Sequence, residues 1–159
     1  MSFDSRDFRN ALGRFATGVC VITGEDEAGN AFGMTVNSFA SVSLEPPLVL
    51  WSLQNNSEMY DTFEHCKRWA VNFLRLDQQE LSNRYATKGD HALAPEHAEA
   101  GKFDMPVLNN SLVTLECELE ARYPGGDHAI LVARVLGMTE REASAPLVFC
   151  NGRYAALAT

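Results

Sequence analysis

Eight small polar side chains crowd one part of this sequence: Thr35, Asn37, Ser38, Ser41, Ser52, Asn55, Asn56 and Ser57. Hydroxyls and amides in that number suit recognition rather than covalent chemistry, because each offers a short donor or acceptor to the polar edge of a ligand. They flank residues 48–53, a run of mostly apolar residues. Polar groups beside a buried strand cost free energy unless something satisfies them. If residues 32–43 form one strand, the period of two sets Thr35, Asn37, Phe39 and Ser41 on one face and Ser38 on the other. A heterocycle with several carbonyl and N–H groups matches such a row. Asn55, Asn56 and Ser57 precede a helical pattern, and a helix start supplies backbone N–H groups that suit a phosphate. The alternative is that all of these are strand and cap residues with no ligand.

Gly125-Gly126-Asp127-His128 is the second feature, a turn leading into an apolar strand. A His at a strand mouth can orient a ligand, titrate near neutral pH or stack on a ring; it can also be a turn residue bonded to its neighbour. Other constellations fail. There is no G-x-S-x-G, Walker A or G-x-G-x-x-G pattern. His91 and His97 lie off a shared helical face and lack a third ligand, so no metal is expected. Glu116, Glu118 and Glu120 alternate with Leu115, Cys117 and Leu119, as on a solvated strand face. His65-Cys66 is placed on the exposed side of a helix end. Cys20, Cys66, Cys117 and Cys150 are scattered without a CxxC pair, which suggests reduced thiols.

The elements that position these groups follow from periodicity. Phe8, Ala11, Leu12 and Phe15 fall at i, i+3, i+4, i+7, an amphipathic helix stopped by Gly18. Strands are expected at residues 19–23, 32–43, 48–53, 69–74, 112–123 and 128–135, with Gly29-Asn30, Pro46-Pro47 and the Pro124-to-Asp127 turn between them. Residues 146–150 and 154–157 flank Asn151-Gly152, a hairpin dipeptide. Met59, Tyr60 and Phe63 mark a second helix. Asp77 with Glu80 forms a capping-box pattern for a third, through Leu81 and Tyr85. Residues 88–110 have no sustained period. The pattern predicts one domain over residues 1–159, mainly β with peripheral helices, closed as an antiparallel barrel.

The 159 residues carry 46% hydrophobic side chains and a net charge of −8. That charge argues against a nucleic-acid partner. No apolar run reaches the length of a membrane span, and the first residues lack a signal-peptide core, so a cytoplasmic, non-membrane protein is expected.

In order along the chain, Phe15-Ala16-Thr17-Gly18-Val19, Gly33-x-Thr35-x-Asn37-Ser38-Phe39-x-Ser41-Val42-Ser43-Leu44-x-Pro46-Pro47-Leu48, Val71-Asn72-x-Leu74, Gly126-Asp127-His128, Pro146-Leu147 and Gly152-x-Tyr154 resemble the short-chain flavin reductase family. The resemblance implies an antiparallel split β-barrel of Greek-key type, a homodimer with flavin at the interface, and NAD(P)H-dependent reduction of FMN or FAD for a flavin-dependent monooxygenase. It implies that Met34, Thr35, Asn37 and Ser38, with Gly33 and Ser41 of the same stretch, hold the flavin ring and ribityl chain. Ser52, Leu53, Gln54, Asn55, Asn56 and Ser57 would continue toward the phosphate, and Tyr85 and Ala86 would border the pocket. Asp127, His128 and Tyr154 would face the nicotinamide of NADH or NADPH, with His128 as the catalytic candidate. In that chemistry Thr35 and Asn37 are expected to act as donors that stabilise the reduced flavin. An aromatic segment common in the family after the third helix is replaced by the Ala- and His-rich residues 91–102, with Phe103 as the nearest stand-in. The alternative is a flavin-binding split-barrel protein without reductase turnover.

Overall fold

Val49, Trp51 and Leu53 turn inward while their neighbours stay half-exposed, so residues 48–54 behave as a strand covering a core on one face. The same alternation builds most of the molecule. The computed structural model describes residues 2–158. Its elements are α1 (Ser5–Leu12), β1 (Thr17–Gly18), β2 (Cys20–Glu25), β3 (Ala31–Val36), β4 (Ala40–Ser43), β5 (Leu48–Gln54), α2 (Tyr60–His65), β6 (Arg68–Phe73), α3 (Gln79–Ala86), β7 (Ala98–Ala100), β8 (Pro106–Leu108), β9 (Val113–Gly125), β10 (His128–Glu140), β11 (Val148–Cys150) and β12 (Arg153–Ala155).

Seven strands form the main antiparallel sheet in the order β3-β2-β6-β9-β10-β5-β4. Register shifts in the long β9–β10 hairpin, between Val132 and Ala133 and again between Val135 and Gly137, are the bulges that let a sheet curl. The sheet closes into an antiparallel split barrel whose edge strands, β3 and β4, do not pair with each other. Inside, Trp51, Phe63 and Trp69 pack edge to face, with Trp51 and Phe63 ring centroids 4.9 Å apart and Trp51 and Trp69 5.9 Å apart. Phe63 brings α2 against the barrel core as part of this cluster. On the outside of β2, Val19 and Val21 lie in a second core with Leu74, Tyr85, Leu108 and Leu147, which seats α3 against the barrel. Burial on both faces explains why β2 lacks a polar face.

The expected strand over residues 32–43 is broken. Asn37, Ser38 and Phe39 leave the sheet, so β3 and β4 sit at opposite edges and the shared-face argument for Thr35, Asn37, Phe39 and Ser41 fails. Asn55 and Ser57 do not open a helix either. The Asn55 amide is taken by the Asp127 carbonyl at 2.9 Å and the Ser57 amide by the Gln54 carbonyl at 3.1 Å, so the chain turns before α2 begins at Tyr60.

The amphipathic helix is shorter than expected. It ends at Leu12 with Gly13, not Gly18, as its cap, and none of its residues is buried. Phe15 beyond it is 79% exposed. α3 starts at Gln79 without a side-chain cap. The capping contact falls two residues before the expected Asp77–Glu80 pair, on the single turn Leu76–Gln78, where the Arg75 amide donates to Gln78 Oε1 at 2.9 Å and Asp77 pairs with Arg75.

Glu116 is the largest departure. It is 1% exposed, because the turn after β7 folds over it and the Lys102 and Phe103 amides donate to its two oxygens at 2.9 and 2.8 Å. A Cβ on Gly101 would collide with that carboxylate, so the turn needs glycine there. Phe103 packs on Ala70, Met105 and Val107. Cys66 is buried too, its thiol donating to the Arg68 carbonyl at 3.0 Å. Burial pushes the Cys20 and Cys117 thiols up to about 12, as inert core groups.

Candidate functional site

The split in the barrel leaves one side of β5 partly without a strand neighbour, its other side being paired with β10 throughout. β4 pairs with β5 only from Leu48 to Leu50, so Ser52 to Gln54 run on alone along that edge. Ser38 takes the place of the missing strand: its Oγ accepts the Ser52 amide at 2.9 Å and donates to the Ser52 carbonyl at 3.1 Å. Beside this clamp opens a cavity of about 230 Å³ lined by Met34, Thr35, Val36, Asn37, Ser38, Ser52, Leu53, Gln54, Ser57 and His128. A second cavity of about 390 Å³ shares Met34, Thr35, Gln54 and Ser57 and continues past Asn56, Glu58, Ala86 and Lys88 to His91. Together they form one trough along the seam. A third, of about 180 Å³, lies against Thr35, Asn37, Ser82, Phe149 and Tyr154.

The trough combines an apolar floor with polar walls. Met34 and Leu53 are buried and supply the floor. Asn37 is exposed, and its amide has no protein partner among the described residues. The hydroxyls are less free than their number implied. Thr35 Oγ1 donates its only proton to the Ser82 carbonyl at 2.7 Å, and Ser38 donates its proton to Ser52. Both therefore face a ligand as acceptors, which corrects the expectation that Thr35 is a donor. Ser57 Oγ accepts the Met59 amide at 3.1 Å and keeps its proton.

His128 stands at the first residue of β10, opposite Gln54 of β5. The two-residue turn ahead of it needs Gly126, whose φ is +69°. Asp127 Oδ1 lies 2.7 Å from His128 Nδ1. The hydrogen bond to His128 holds the Asp127 carboxyl below the usual carboxylate range, although the Asp127 side chain is 94% exposed. An acceptor on Nδ1 fixes the ring plane and leaves Nε2 for a ligand. Asn55 steadies the same turn, its Nδ2 donating to the Gly126 carbonyl at 3.2 Å.

The far end of the trough is walled by the segment after α3. The Gly33 amide donates to the His91 carbonyl at 2.8 Å and the Leu93 amide to the Ala31 carbonyl at 3.0 Å, so residues 91–93 run along the outer edge of β3. His91 Nδ1 meets the Gly33 carbonyl at 3.0 Å, and its Nε2 lies 2.8 Å from Glu58 Oε1. Glu58 also accepts the Gly89 amide at 2.6 Å. Tyr85 is wholly buried beneath, its hydroxyl between His97 Nδ1 at 2.7 Å and the Ala94 amide at 3.1 Å.

The structure thus gathers Met34, Thr35, Asn37, Ser38, Ser52, Leu53, Gln54, Asn56, Ser57, Tyr85, Ala86 and His128 along the trough. It places others elsewhere. Gly33 is packed under the Tyr85 ring, 3.0 Å from where a Cβ would stand. Ser41 is exposed on β4, away from the trough. Asn55 and Asp127 support the His128 turn rather than line a cavity, and Tyr154 lies in the third cavity, apart from His128. Sequence reasoning missed Ser82, Glu58, Lys88 and His91. Ser82 and Glu58 gave no signal, and Lys88 and His91 sit in a segment without periodicity.

Comparison with known proteins places this architecture. The family model described as "Flavin reductase like domain" matches residues 12–158. "FMN reductase (NADH) SmoA" of Agrobacterium fabrum is 42% identical over 151 residues, 95% of this chain and 85% of that one. "Flavin-dependent monooxygenase, reductase subunit HsaB" of Rhodococcus jostii is 35% identical over 153 residues, covering 96% of this chain and 78% of the relative. The solved structure "Flavin reductase PheA2 in native state" superposes with a TM-score of 0.90 at 38% identity, covering 99% of this chain and 100% of that one. With the family model matching almost the whole chain, the chain belongs to the flavin reductase-like family.

Proposed function

We propose that this chain, acting as one domain over residues 1–159, is an NAD(P)H-dependent flavin reductase that supplies reduced flavin to a partner monooxygenase. One observation carries the reading: the trough at the barrel seam sets an apolar floor, Met34 and Leu53, under the uncommitted Asn37 amide, with His128 held by Asp127 at its mouth. A flat ring with a polar rim fits that donor and acceptor set, and a stretched polar chain fits the continuation past Gln54, Asn56 and Ser57 toward Lys88. NADH as donor and FMN as acceptor are supported by the naming of the Agrobacterium relative, and the monooxygenase partner by that of the Rhodococcus one. NADPH and FAD fit the same reading.

Bound flavin supplies the chemistry: a dihydronicotinamide C4–H bond breaks with its electron pair and an N5–H bond forms. The protein's part is placement. Met34 and Leu53 exclude water beneath the ring. Asn37, Ser38 and Ser52 hold its polar edge, and Ser57, Asn56 and Lys88 receive the ribityl and phosphate groups. His128, oriented by Asp127, offers Nε2 to the nicotinamide. No side chain is needed as nucleophile or general acid.

A homodimer belongs to the proposal, supported by a set of apolar side chains with no cover: Leu44 is 96% exposed and Leu12 58%. No helix among the described residues is long and apolar enough to cross a membrane. We infer that the protein works in the cytoplasm, where reduced nicotinamides are at hand. Steady-state oxidation of NADH and NADPH with FMN and FAD tests the reading; absence of turnover in every combination would overturn it, and an unchanged nicotinamide KM in His128→Ala would remove His128 from the mechanism.

A further inference from the structure

Two hydrogen-bonded contacts meet at Ser82, one from the C-terminal hairpin to its side chain and one from the trough to its backbone carbonyl, and the acceptors set the proton direction in each. Asn83 Oδ1 can only accept, so the Tyr154 hydroxyl donates to it, at 3.0 Å. Ser82 Oγ, buried, lies 2.6 Å from the same Tyr154 oxygen and therefore donates to it. The Ser82 carbonyl in turn accepts the Thr35 proton at 2.7 Å. Thr35 is left with lone pairs alone to show a ligand.

We propose that Thr35 selects the redox state of the flavin: as an obligate acceptor it favours the reduced ring, whose N5 bears a hydrogen, with Tyr154 as the positioning residue that holds it through Ser82. This rests on the reading of the trough as a flavin site. An oxidised isoalloxazine presents acceptors at N1, O2, O4 and N5 and a donor only at N3. Lone pairs of Thr35 turned toward an oxidised N5 repel it. Reduction breaks the nicotinamide C4–H bond, moves that hydrogen to N5 with both electrons, and leaves oxidised nicotinamide with a reduced ring that is anionic until solvent protonates it. The new N5–H is the donor Thr35 lacks. Thr35 lines the same cavity as His128, the residue assigned to the nicotinamide, and in this proposal it sits at the N5 edge of the ring. Asn37, with both donor and acceptor free, cannot discriminate in this way.

The test is the ratio of oxidised to reduced FMN dissociation constants, measured anaerobically for the native chain, Thr35→Val, Thr35→Ser and Tyr154→Phe. Thr35→Val is expected to lose about 5- to 10-fold of the preference for reduced FMN, a tenfold loss being about 30 mV in the two-electron midpoint potential. Thr35→Ser retains the preference. Tyr154→Phe, which leaves Thr35 in place and serves if Thr35→Val fails to fold, loses about 2- to 3-fold of the ratio and a small part of its stability, from the orphaned Ser82 hydroxyl. Equal weakening of both states in Thr35→Val, or a Thr35→Ser ratio like that of Val, overturns the selector; an unchanged ratio in Tyr154→Phe overturns its positioning role. A native chain that binds no flavin refutes the functional reading instead.

Discussion

Asn72 and Asn37 are the same residue type, one inside the sheet on β6 and one where the chain leaves it after β3, and they meet opposite fates. Asn72 is fully buried on β6, where its amide makes four hydrogen bonds: it donates to the Val21 carbonyl and Thr23 Oγ1 and accepts from the Leu108 amide and Thr114 Oγ1. Thr114 bonds Ser111, and Arg141 reaches both and extends to Glu99. Every polar atom of the Asn72 amide has a protein partner, and the knot ties β2, β6, β8 and β9 together. Asn37 sits where the sheet has let go of its neighbour and has no partner at all among the described residues. The contrast separates two uses of polar side chains in a β protein. Saturated groups hold strands in place, and unsaturated ones wait for a ligand.

Substitutions sharpen or break that contrast. The largest effect is expected at the saturated site: Asn72→Ala orphans buried groups on several strands, and urea unfolding should show a loss of about 3 kcal/mol, with a Tm lower by roughly 10 °C. A loss below about 0.5 kcal/mol would mean that water replaces the amide and that the knot is not structural. Ser38 belongs to both classes, because it clamps β5 and lines the trough. Ser38→Ala is expected to lower stability by about 1 kcal/mol and to weaken flavin binding in fluorescence titration; an effect on one property alone would assign it to one class. Asn37→Ala should leave unfolding unchanged and reduce flavin affinity about 5- to 10-fold, and a stability loss like that of Asn72 would erase the distinction.

The smallest change is expected at Asp127, exposed yet bonded to His128. Asp127→Asn should raise the nicotinamide KM about 2- to 3-fold without moving Tm. The sign of its pH dependence follows from the lowered carboxyl. The contact is present above the carboxylate's ordinary 3.8 and is lost only as pH falls through a value below it. Native KM should therefore show no loss of this contact near neutral pH. An acid limb there that vanishes in Asp127→Asn would contradict the assignment.

Much of this was legible in the sequence, and the failures share one cause. Strands β2, β5, β6, β9 and β10 were readable because alternation and turn residues report local burial. The His128 turn was readable because Gly126 and Asp127 specify it. What local pattern cannot report is which distant segment covers a strand. Glu116 alternates like a solvated residue and is buried by a turn that follows β7. Phe8 and Leu12 form an amphipathic stripe, yet the stripe faces outward. The polar row from Thr35 to Ser41 was correctly singled out, but the break at Asn37 depends on β4 crossing to the far edge of the sheet. The roles of its hydroxyls depend on a helix carbonyl, that of Ser82, which no spacing rule points to.

Residues 91–93, lying along β3 through the Gly33 amide and the Ala31 carbonyl, have a consequence for the life of the protein in a crowded cell. A barrel left unclosed carries two raw strand edges, and a raw edge is a template on which another chain can add and polymerise. The strap blunts the first half of one of them, from Ala31 to Gly33. At the other, β4 is only four residues long and the Pro46-Pro47 corner beyond it offers no amide donors with which to extend the edge. An opening made for a small ring thus stays open to that ring and unattractive to a neighbouring backbone, and colloidal behaviour is guarded by the segment in which the sequence showed least order.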